Sequence, residues 1–252
     1  MLRVALLSVF RLKAHVFRLT PEATNALVDC GQGDSVRLIL FGASGMVGAG
    51  ALREALADPD VSAVRSVGRR PCGVTHPKLQ ERRLPDLVDV VVAGIDLAGW
   101  DGCLWAVGVS SVGLDEAAYA RVTEDLTLRW AKALLQANPN ASFCYCSAMG
   151  AGGRTMWARV RQRVEGALRE MPFRHAGCVR PGFIQPGPGI TSQVRAYRLL
   201  IAAGRPLFPL LVGVAPSLAT TSERLGRAML RVVQGRADRF ILESADINRL
   251  GA

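Results

Sequence analysis

The chain has 252 residues, 50% of them hydrophobic and 21% charged, which is enough to bury one large core. Its formal net charge of +10 favours an anionic partner. Because aromatic residues make up only 6% and form no array with the basic residues, the composition argues against nucleic acid and leaves an anionic cofactor or a membrane surface.

The cysteines and histidines predict neither a metal site nor a disulfide framework. There is no C-x-x-C pair, the three histidines are isolated, and most cysteines lie in apolar, strand-like runs, where cysteine acts as a small core residue. This usage predicts a reducing, cytoplasmic setting. The cysteines are Cys30, Cys72, Cys103, Cys144, Cys146 and Cys178.

Residues 1–35 differ in character from the rest of the chain. They carry four basic residues before the first acid, Glu22, and their apolar stretch is broken by Arg11. The stretch is a poor secretory signal and too short to span a bilayer. We expect an extension outside the fold with no part in catalysis; a basic amphipathic surface helix is the alternative. Residues 36–252 are expected to form one nucleotide-binding domain, with a substrate-side segment over about 185–252.

The stretch from Val36 to Gly48 predicts a buried strand, a tight turn and the start of a helix that ends before Pro59. Its glycines are spaced G-x-x-G-x-x-G. Glycine lets the backbone approach a bulky anion, and the free amides at the helix start then face a phosphate. The turn therefore predicts a dinucleotide site; a purely structural turn is the alternative. The predicted contacts are Gly42, Ser44, Gly45, Met46, Val47 and Gly48.

A second strand, Val61 to Val67, leads into a pair of arginines, Arg69 and Arg70. In a nucleotide-binding half of this kind, the end of the second strand meets the adenosine ribose. An acid there would hold the free 2′-hydroxyl of NAD, whereas guanidinium groups match a 2′-phosphate in charge and geometry. The pair predicts NADP(H) over NAD(H), with a solvated basic turn as the alternative.

Strands and helices alternate along the rest of the chain. The pattern predicts a Rossmann-type, doubly wound and mostly parallel sheet whose ligands lie beyond the carboxyl ends of the strands. Asp86 follows a weak third strand, where it would meet the adenine edge, and Gly108 follows the next strand beside the middle of the cofactor. The further predicted strands are 79–84, 103–107, 141–146, 174–179 and 240–242, and the further predicted helices are 115–136, 155–170 and one starting near Thr220.

The order of motifs, G-A-S-G-M-V-G, then G-R-R-P, a serine after a strand, and R-P-G-F-I-Q-P, resembles the short-chain dehydrogenase/reductase superfamily. Within it, the chain is similar to the atypical branch of NAD-dependent epimerase/dehydratase-like proteins and to the Tat-interacting oxidoreductase-like proteins. The resemblance covers about Val36 to the C-terminus. It implies cofactor contacts from Pro181, Gly182, Phe183 and Ile184.

The catalytic set of that superfamily is a serine, a tyrosine and a lysine, the last two spaced Y-x-x-x-K. The resemblance assigns the serine to Ser147 and the other two positions to Trp157 and Arg161. Indole offers an N–H donor without useful acid–base chemistry, and arginine stays charged. Tyr145, Tyr119 and Tyr197 are conceivable substitute acids.

The C-terminal part is expected to shape the substrate pocket. The Pro- and Gly-rich stretch from Pro181 to Gly189 predicts an irregular loop over the nicotinamide, and Asp246 to Asn248 a closing turn. The apolar stretch from Val194 to Val214 contains arginines and prolines, which argues against a spanning helix. It predicts a lid over an apolar substrate or a membrane contact, or else a helix packed on the sheet or in a homodimer.

Two functions follow from these motifs. The first is an NADP(H)-dependent oxidoreductase or epimerase-like enzyme acting on a small apolar carbonyl or hydroxyl compound, favoured by Ser147 and the apolar C-terminal stretch. The second is a regulatory or interaction protein that binds NADPH but turns nothing over, favoured by Trp157 and Arg161. The glycine turn fits both.

Overall fold

The computed structural model describes residues 35–87, 95–190 and 215–252. Its central feature is a seven-stranded parallel sheet in the order β3-β2-β1-β4-β5-β6-β9. The predicted Rossmann-type fold is confirmed. The strands of this sheet are β1 Val36–Phe41, β2 Val61–Gly68, β3 Leu79–Arg83, β4 Gly102–Trp105, β5 Ser142–Cys146, β6 Ala176–Arg180 and β9 Ile241–Glu243.

Helices cover both faces of the sheet, as a parallel sheet requires. Side chains of β1 alternate between the two faces: Leu38 and Leu40 pack with α1 and α5, whereas Ile39 and Phe41 pack with α3 and α4. The core therefore lies in two layers with β1 between them. The helices are α1 Met46–Ala57, α2 Glu116–Ala120, α3 Leu126–Ala137, α4 Met156–Glu170, α5 Ser222–Val233 and α6 Ser244–Leu250.

Helices α1 and α5 cross with their backbones in contact. A Cβ on Gly50 would lie 2.5 Å from the carbonyl oxygen of Ser222, and one on Gly226 would lie 2.8 Å from that of Gly50. Because no side chain fits between them, α1 is fixed against an element from the C-terminal end of the chain.

The structure differs from the sequence-based prediction at three places. Asp246 to Asn248 is not a turn but part of α6, which starts with a capping box between Glu243 and Asp246. The predicted irregular loop contains a short strand, β7 Phe183–Gln185, paired with β8 Ala219–Thr221. The predicted long helix contains a π-helical turn, Arg121–Asp125, between α2 and α3. Strands of three residues and one wide turn leave too little periodicity to be recognised.

Two predicted segments lie outside the described residues. These are almost all of the N-terminal extension, residues 1–34, and the apolar stretch from Val194 to Val214. The lid, membrane and dimer alternatives for that stretch remain predictions. In the described ranges, every helix is too short or too polar to cross a membrane.

Candidate functional site

The turn after β1 is built by two glycines that admit no side chain. Gly42 has a φ of 84°, and a Cβ on it would lie 2.6 Å from the carbonyl oxygen of Ala106, just beyond β4. A Cβ on Gly48 would lie 2.1 Å from the carbonyl oxygen of Gly42. Gly42 lets the turn lie against the end of β4, and Gly48 lets the start of α1 lie against the turn.

The N-terminus of α1 presents its backbone amides without a side-chain cap. The N-cap residue, Gly45, makes no side-chain hydrogen bond, and the first turn holds no acidic residue. The first amides of a helix have no partner within the helix, and the helix dipole places positive charge there. This end of α1 is therefore suited to a phosphate or another anion.

A cleft of about 320 Å³ opens beside this helix end. Ser44 and Gly45 line it on the β1 side, and Arg70 lines it on the β2 side. Arg69 is exposed but is not among the lining residues. The structure therefore brings the glycine turn and one of the two predicted arginines into one cavity, as an adenosine 2′-phosphate would require.

Cys72 also lines the cleft, and the sequence did not single it out for this role. Its backbone amide donates to Oε1 of Glu81 on β3 at 2.7 Å, which fixes the turn carrying Arg70. Burial and this carboxylate raise the pKa of the Cys72 thiol, so it stays protonated at neutral pH. Its position two residues after Arg70 was the available signal.

The opposite wall of the cleft comes from the end of the Pro- and Gly-rich stretch, at Gly189 and Ile190. Arg53 on α1 donates to the carbonyl of Pro188 at 2.8 Å, and the hydroxyl of Ser222 accepts from the Gly187 amide at 2.9 Å. This end of the stretch therefore lies beside the glycine turn, because it is tied to α1 and α5; a position of the loop over the nicotinamide stays a prediction.

The other predicted cofactor contacts lie at the same edge of the sheet. Asp86 is exposed three residues beyond β3 and does not line the cleft. The Gly182 amide donates to the Ser244 hydroxyl at 2.8 Å, and the carbonyl of Pro181 accepts from the Met149 amide at 3.0 Å. Phe183 and Ile184 belong to β7, and Ile184 is buried in the core.

Ser147 and Trp157 flank the carboxyl end of β5. Ser147 is only 4% exposed, and its Oγ has no hydrogen-bond partner among the described residues. Trp157 is half-buried and lies against the following loop, since a Cβ on Gly150 would be 3.3 Å from its ring. Ser147 and Trp157 therefore lie at the carboxyl edge of the sheet, where the glycine turn also lies.

Arg161 lies one helical turn after Trp157 on α4, and its guanidinium contacts the end of β5. Its Nε donates to the Tyr119 hydroxyl at 3.0 Å, and its Nη1 donates to the carbonyl of Cys146 at 3.2 Å and to the Tyr145 hydroxyl at 3.5 Å. Burial works to lower the pKa of the guanidinium, but the two phenols outweigh it and the pKa lies above its ordinary value. Arg161 is therefore a permanent, partly buried cation.

The tyrosines hold this cation but are poor proton donors to a substrate. Tyr145 is 1% exposed in the core, and burial raises the pKa of its phenol strongly, against a lowering effect of Arg161. Tyr119, which is 2% exposed, is brought to the site only through its bond to Arg161. Tyr197 lies outside the described residues.

The described cysteines are free thiols, and four of them are buried in the core. Burial raises the pKa of the Cys146 thiol to about 11, so this thiol stays neutral beside Arg161. Within the described ranges, no group of three or more His, Cys, Asp or Glu residues could hold a metal ion.

Comparison with known proteins gives three distant relatives. No family model matches the chain. Protein FMP52, mitochondrial, of Chaetomium globosum is 28% identical over 84% of this chain and 96% of its own length. Proteins named fmp52-2, mitochondrial, from Aspergillus oryzae and Neosartorya fischeri are 26% and 28% identical, each over 84% of this chain.

These relatives overturn one prediction. The chain was expected to be cytoplasmic, and all three relatives are named as mitochondrial. The prediction was wrong because it depended on reduced cysteines, which argue against an oxidising compartment but do not distinguish between reducing ones.

Solved structures resemble the fold at low sequence identity. A short chain dehydrogenase family protein from Francisella tularensis is 12% identical, with a TM-score of 0.58 over 82% of this chain and 96% of its own. A UDP-N-acetylglucosamine 4-epimerase from Methanobrevibacter ruminantium has a TM-score of 0.61 at 13% identity, and the match covers 83% of this chain and 76% of the epimerase. A tyrosine-to-phenylalanine variant of ElxO with NADPH bound has a TM-score of 0.61 at 14% identity, and the match covers 85% of this chain and 99% of ElxO. The chain therefore shares the Rossmann-type fold of dehydrogenases and epimerases of this kind.

Proposed function

We propose that this protein binds NADP(H) in the cleft between the glycine turn and Arg70, as an atypical member of the short-chain dehydrogenase/reductase superfamily similar to the Tat-interacting oxidoreductase-like proteins. The observation that carries the proposal is the uncapped start of α1 facing the same cavity as Arg70. The close backbone packing at Gly42 and Gly48 supports it, because only glycine lets the turn lie against β4 and the start of α1 lie against the turn. The NADPH bound to ElxO supports the cofactor class.

Cofactor choice is tested by titrating the protein with NADPH and, separately, with NADH. We expect tighter binding of NADPH, because Arg70 would pair with the 2′-phosphate. Charge-assisted hydrogen bonds contribute about 1.5–3 kcal/mol, so Arg70→Ala is expected to weaken NADPH binding about 10- to 100-fold and to leave NADH binding nearly unchanged. Arg69→Ala is the matched control, since Arg69 does not line the cleft. Equal losses for both cofactors would contradict the assignment.

The activity we propose is oxidoreductase or epimerase-like chemistry on a small carbonyl or hydroxyl compound with an apolar body. The cofactor, when bound, supplies or accepts a hydride. Ser147 orients the substrate oxygen, which fits its buried and unpartnered hydroxyl. Trp157 provides an apolar wall, and Met149, with 42% of its surface exposed, extends this apolar rim. No side chain in the described set has the role of the usual tyrosine acid, so a water molecule would carry the proton.

A regulatory protein that binds NADPH without turnover is the second candidate. The replacement of the usual tyrosine and lysine by Trp157 and Arg161 favours it, together with the raised pKa of Tyr145. By analogy with the relatives, we place either function in mitochondria.

The double variant Trp157→Tyr with Arg161→Lys separates these candidates. If the site is a degraded dehydrogenase, restoring the acid and the ribose-binding amine should raise NADPH oxidation on a panel of carbonyl compounds about 100-fold or more, as general acid catalysis commonly contributes 10²–10⁴-fold. Lys132→Arg on α3 is the control for surface substitution. No gain in the double variant, with NADPH still bound, would mean that the native chain uses different chemistry or none.

A further inference from the structure

Arg161 is a partly buried cation that has no carboxylate partner among the described residues. Its hydrogen-bond acceptors are two phenols and the carbonyl of Cys146, all neutral groups. None of the ion pairs in the described residues includes it, whereas the other guanidinium in this part of the sheet, Arg180, pairs with Glu165 and Glu243. The contrast shows that Arg161, unlike Arg180, has no carboxylate partner among the described residues.

Burial disfavours a charge, and arginine does not relieve the cost by losing its proton. The phenols of Tyr119 and Tyr145 favour the charged form of Arg161, but they are neutral groups and leave the positive charge without a counterion among the described residues. Four acidic residues lie outside the described ranges. Residues 191–214 contain no Asp or Glu, residues 88–94 contain Asp89, and residues 1–34 contain Glu22, Asp29 and Asp34. A site that keeps such a cation is matched to an anion that arrives from solution.

The position of the guanidinium shows where such an anion would bind. Its Nη2 lies 3.7 Å from the place where a Cβ would stand on Gly108, at the carboxyl edge of the sheet. Its Nη1 holds the carbonyl of Cys146, and the next residue is Ser147, whose buried Oγ has no partner among the described residues. The guanidinium of Arg161 and the unpartnered hydroxyl of Ser147 therefore both lie at the peptide group that joins Cys146 to Ser147.

The phosphates of a dinucleotide have their own receptors elsewhere. The uncapped start of α1 and Arg70 line the cleft on the β1 and β2 side, whereas Arg161 contacts the end of β5 and its Nη2 lies near Gly108, beyond β4. An anion held by Arg161 would then be a group of the substrate.

We propose that Arg161 binds a carboxylate of the substrate, so that the substrate class is an amphipathic carboxylic acid carrying a carbonyl or hydroxyl group. The inference rests on the proposed function for the reacting group, but not for the anion site itself. Ser147 would contact an oxygen of the same substrate, and Trp157 and Met149 would contact its apolar part.

The test compares hexanoate with its uncharged counterpart, hexanamide, by calorimetric titration of the full chain with and without saturating NADPH. We expect hexanoate to bind at least tenfold more tightly than hexanamide. Arg161→Gln should abolish this difference, and Arg161→Lys should keep part of it. Arg159→Gln is the matched control, because Arg159 lies on the same helix but pairs with Glu116 at the surface.

Equal binding of the two probes to the native chain, or no binding of hexanoate, would overturn the proposal whether or not the variants fold. A preference for hexanoate that survives Arg161→Gln would also overturn it. If Arg161→Gln instead weakens NADPH binding as much as hexanoate binding, the cation serves the cofactor and the substrate assignment is wrong. Failure of NADPH to bind, with hexanoate still dependent on Arg161, would refute the cofactor proposal alone.

Discussion

Replacing Glu165 with glutamine is expected to lower the free energy of unfolding by about 3–5 kcal/mol, because it leaves Arg180 as a buried charge without its main partner. The Glu165 side chain is only 3% exposed and that of Arg180 15%. Nε of Arg180 donates to Oε1 of Glu165 at 2.9 Å, and this partner contributes most to raising the pKa of the guanidinium. The remaining partner, Glu243, is half-exposed and compensates only in part.

Denaturant unfolding measures this loss against two further variants. Glu116→Gln is the matched control, because Glu116 pairs with Arg159 and Arg163 at the surface, where solvent screens such pairs and they add little to stability. The double variant Glu165→Leu with Arg180→Met should lose less stability than Glu165→Gln alone, since it removes both charges together. If Glu165→Gln and Glu116→Gln lower the free energy of unfolding equally, the pair of Glu165 and Arg180 does not stabilise the fold as we expect.

Replacing Gly48 with alanine is expected to damage both stability and cofactor binding. The new Cβ would lie 2.1 Å from the carbonyl oxygen of Gly42, and backbone atoms must move to admit it. Overpacking of this kind costs about 1–3 kcal/mol. Because the movement displaces the start of α1, we also expect NADPH binding to weaken at least tenfold. A tenfold loss corresponds to about 1.4 kcal/mol of binding free energy.

Two other glycines provide controls for this prediction. A Cβ on Gly45 would lie 3.3 Å from the same carbonyl oxygen, so Gly45→Ala should cost little stability while still crowding a bound phosphate. Gly166 in α4 has open space around it, and Gly166→Ala should raise stability by about 0.5–1 kcal/mol without affecting NADPH. Chemical denaturation and NADPH titration of the three variants would separate the effects, and unchanged stability of Gly48→Ala would contradict the turn geometry.

Much of the fold followed from local sequence features. The strand, glycine turn and helix around Gly42 were predictable because an apolar run, a glycine spacing and the proline after α1 all agree. The parallel sheet also followed from the alternation of strands and helices, whereas the order of the strands was not predicted. The pairing of β7 with β8 was missed because it joins two segments of three residues that lie far apart in the chain.

The candidate site was predicted in part. The positions of Ser147, Trp157 and Arg161 followed from motif order, and the structure places all three at one edge of the sheet. What the sequence did not reveal is the surroundings of Arg161. Its lack of a carboxylate partner is a property of packing, because Tyr119 and Tyr145 reach it from two different elements.

The contact between α1 and α5 constrains the order in which this protein can mature on the ribosome. The glycine turn and α1 leave the exit tunnel early, but Gly50 is fitted against Ser222 and Gly226, which are made much later. A nascent chain that ends before α5 would have the whole glycine motif but would lack the helix that fits against α1. The proposed cofactor site should therefore be complete only after α5 has been made, and fragments that contain only the glycine-turn half should be poor NADPH binders.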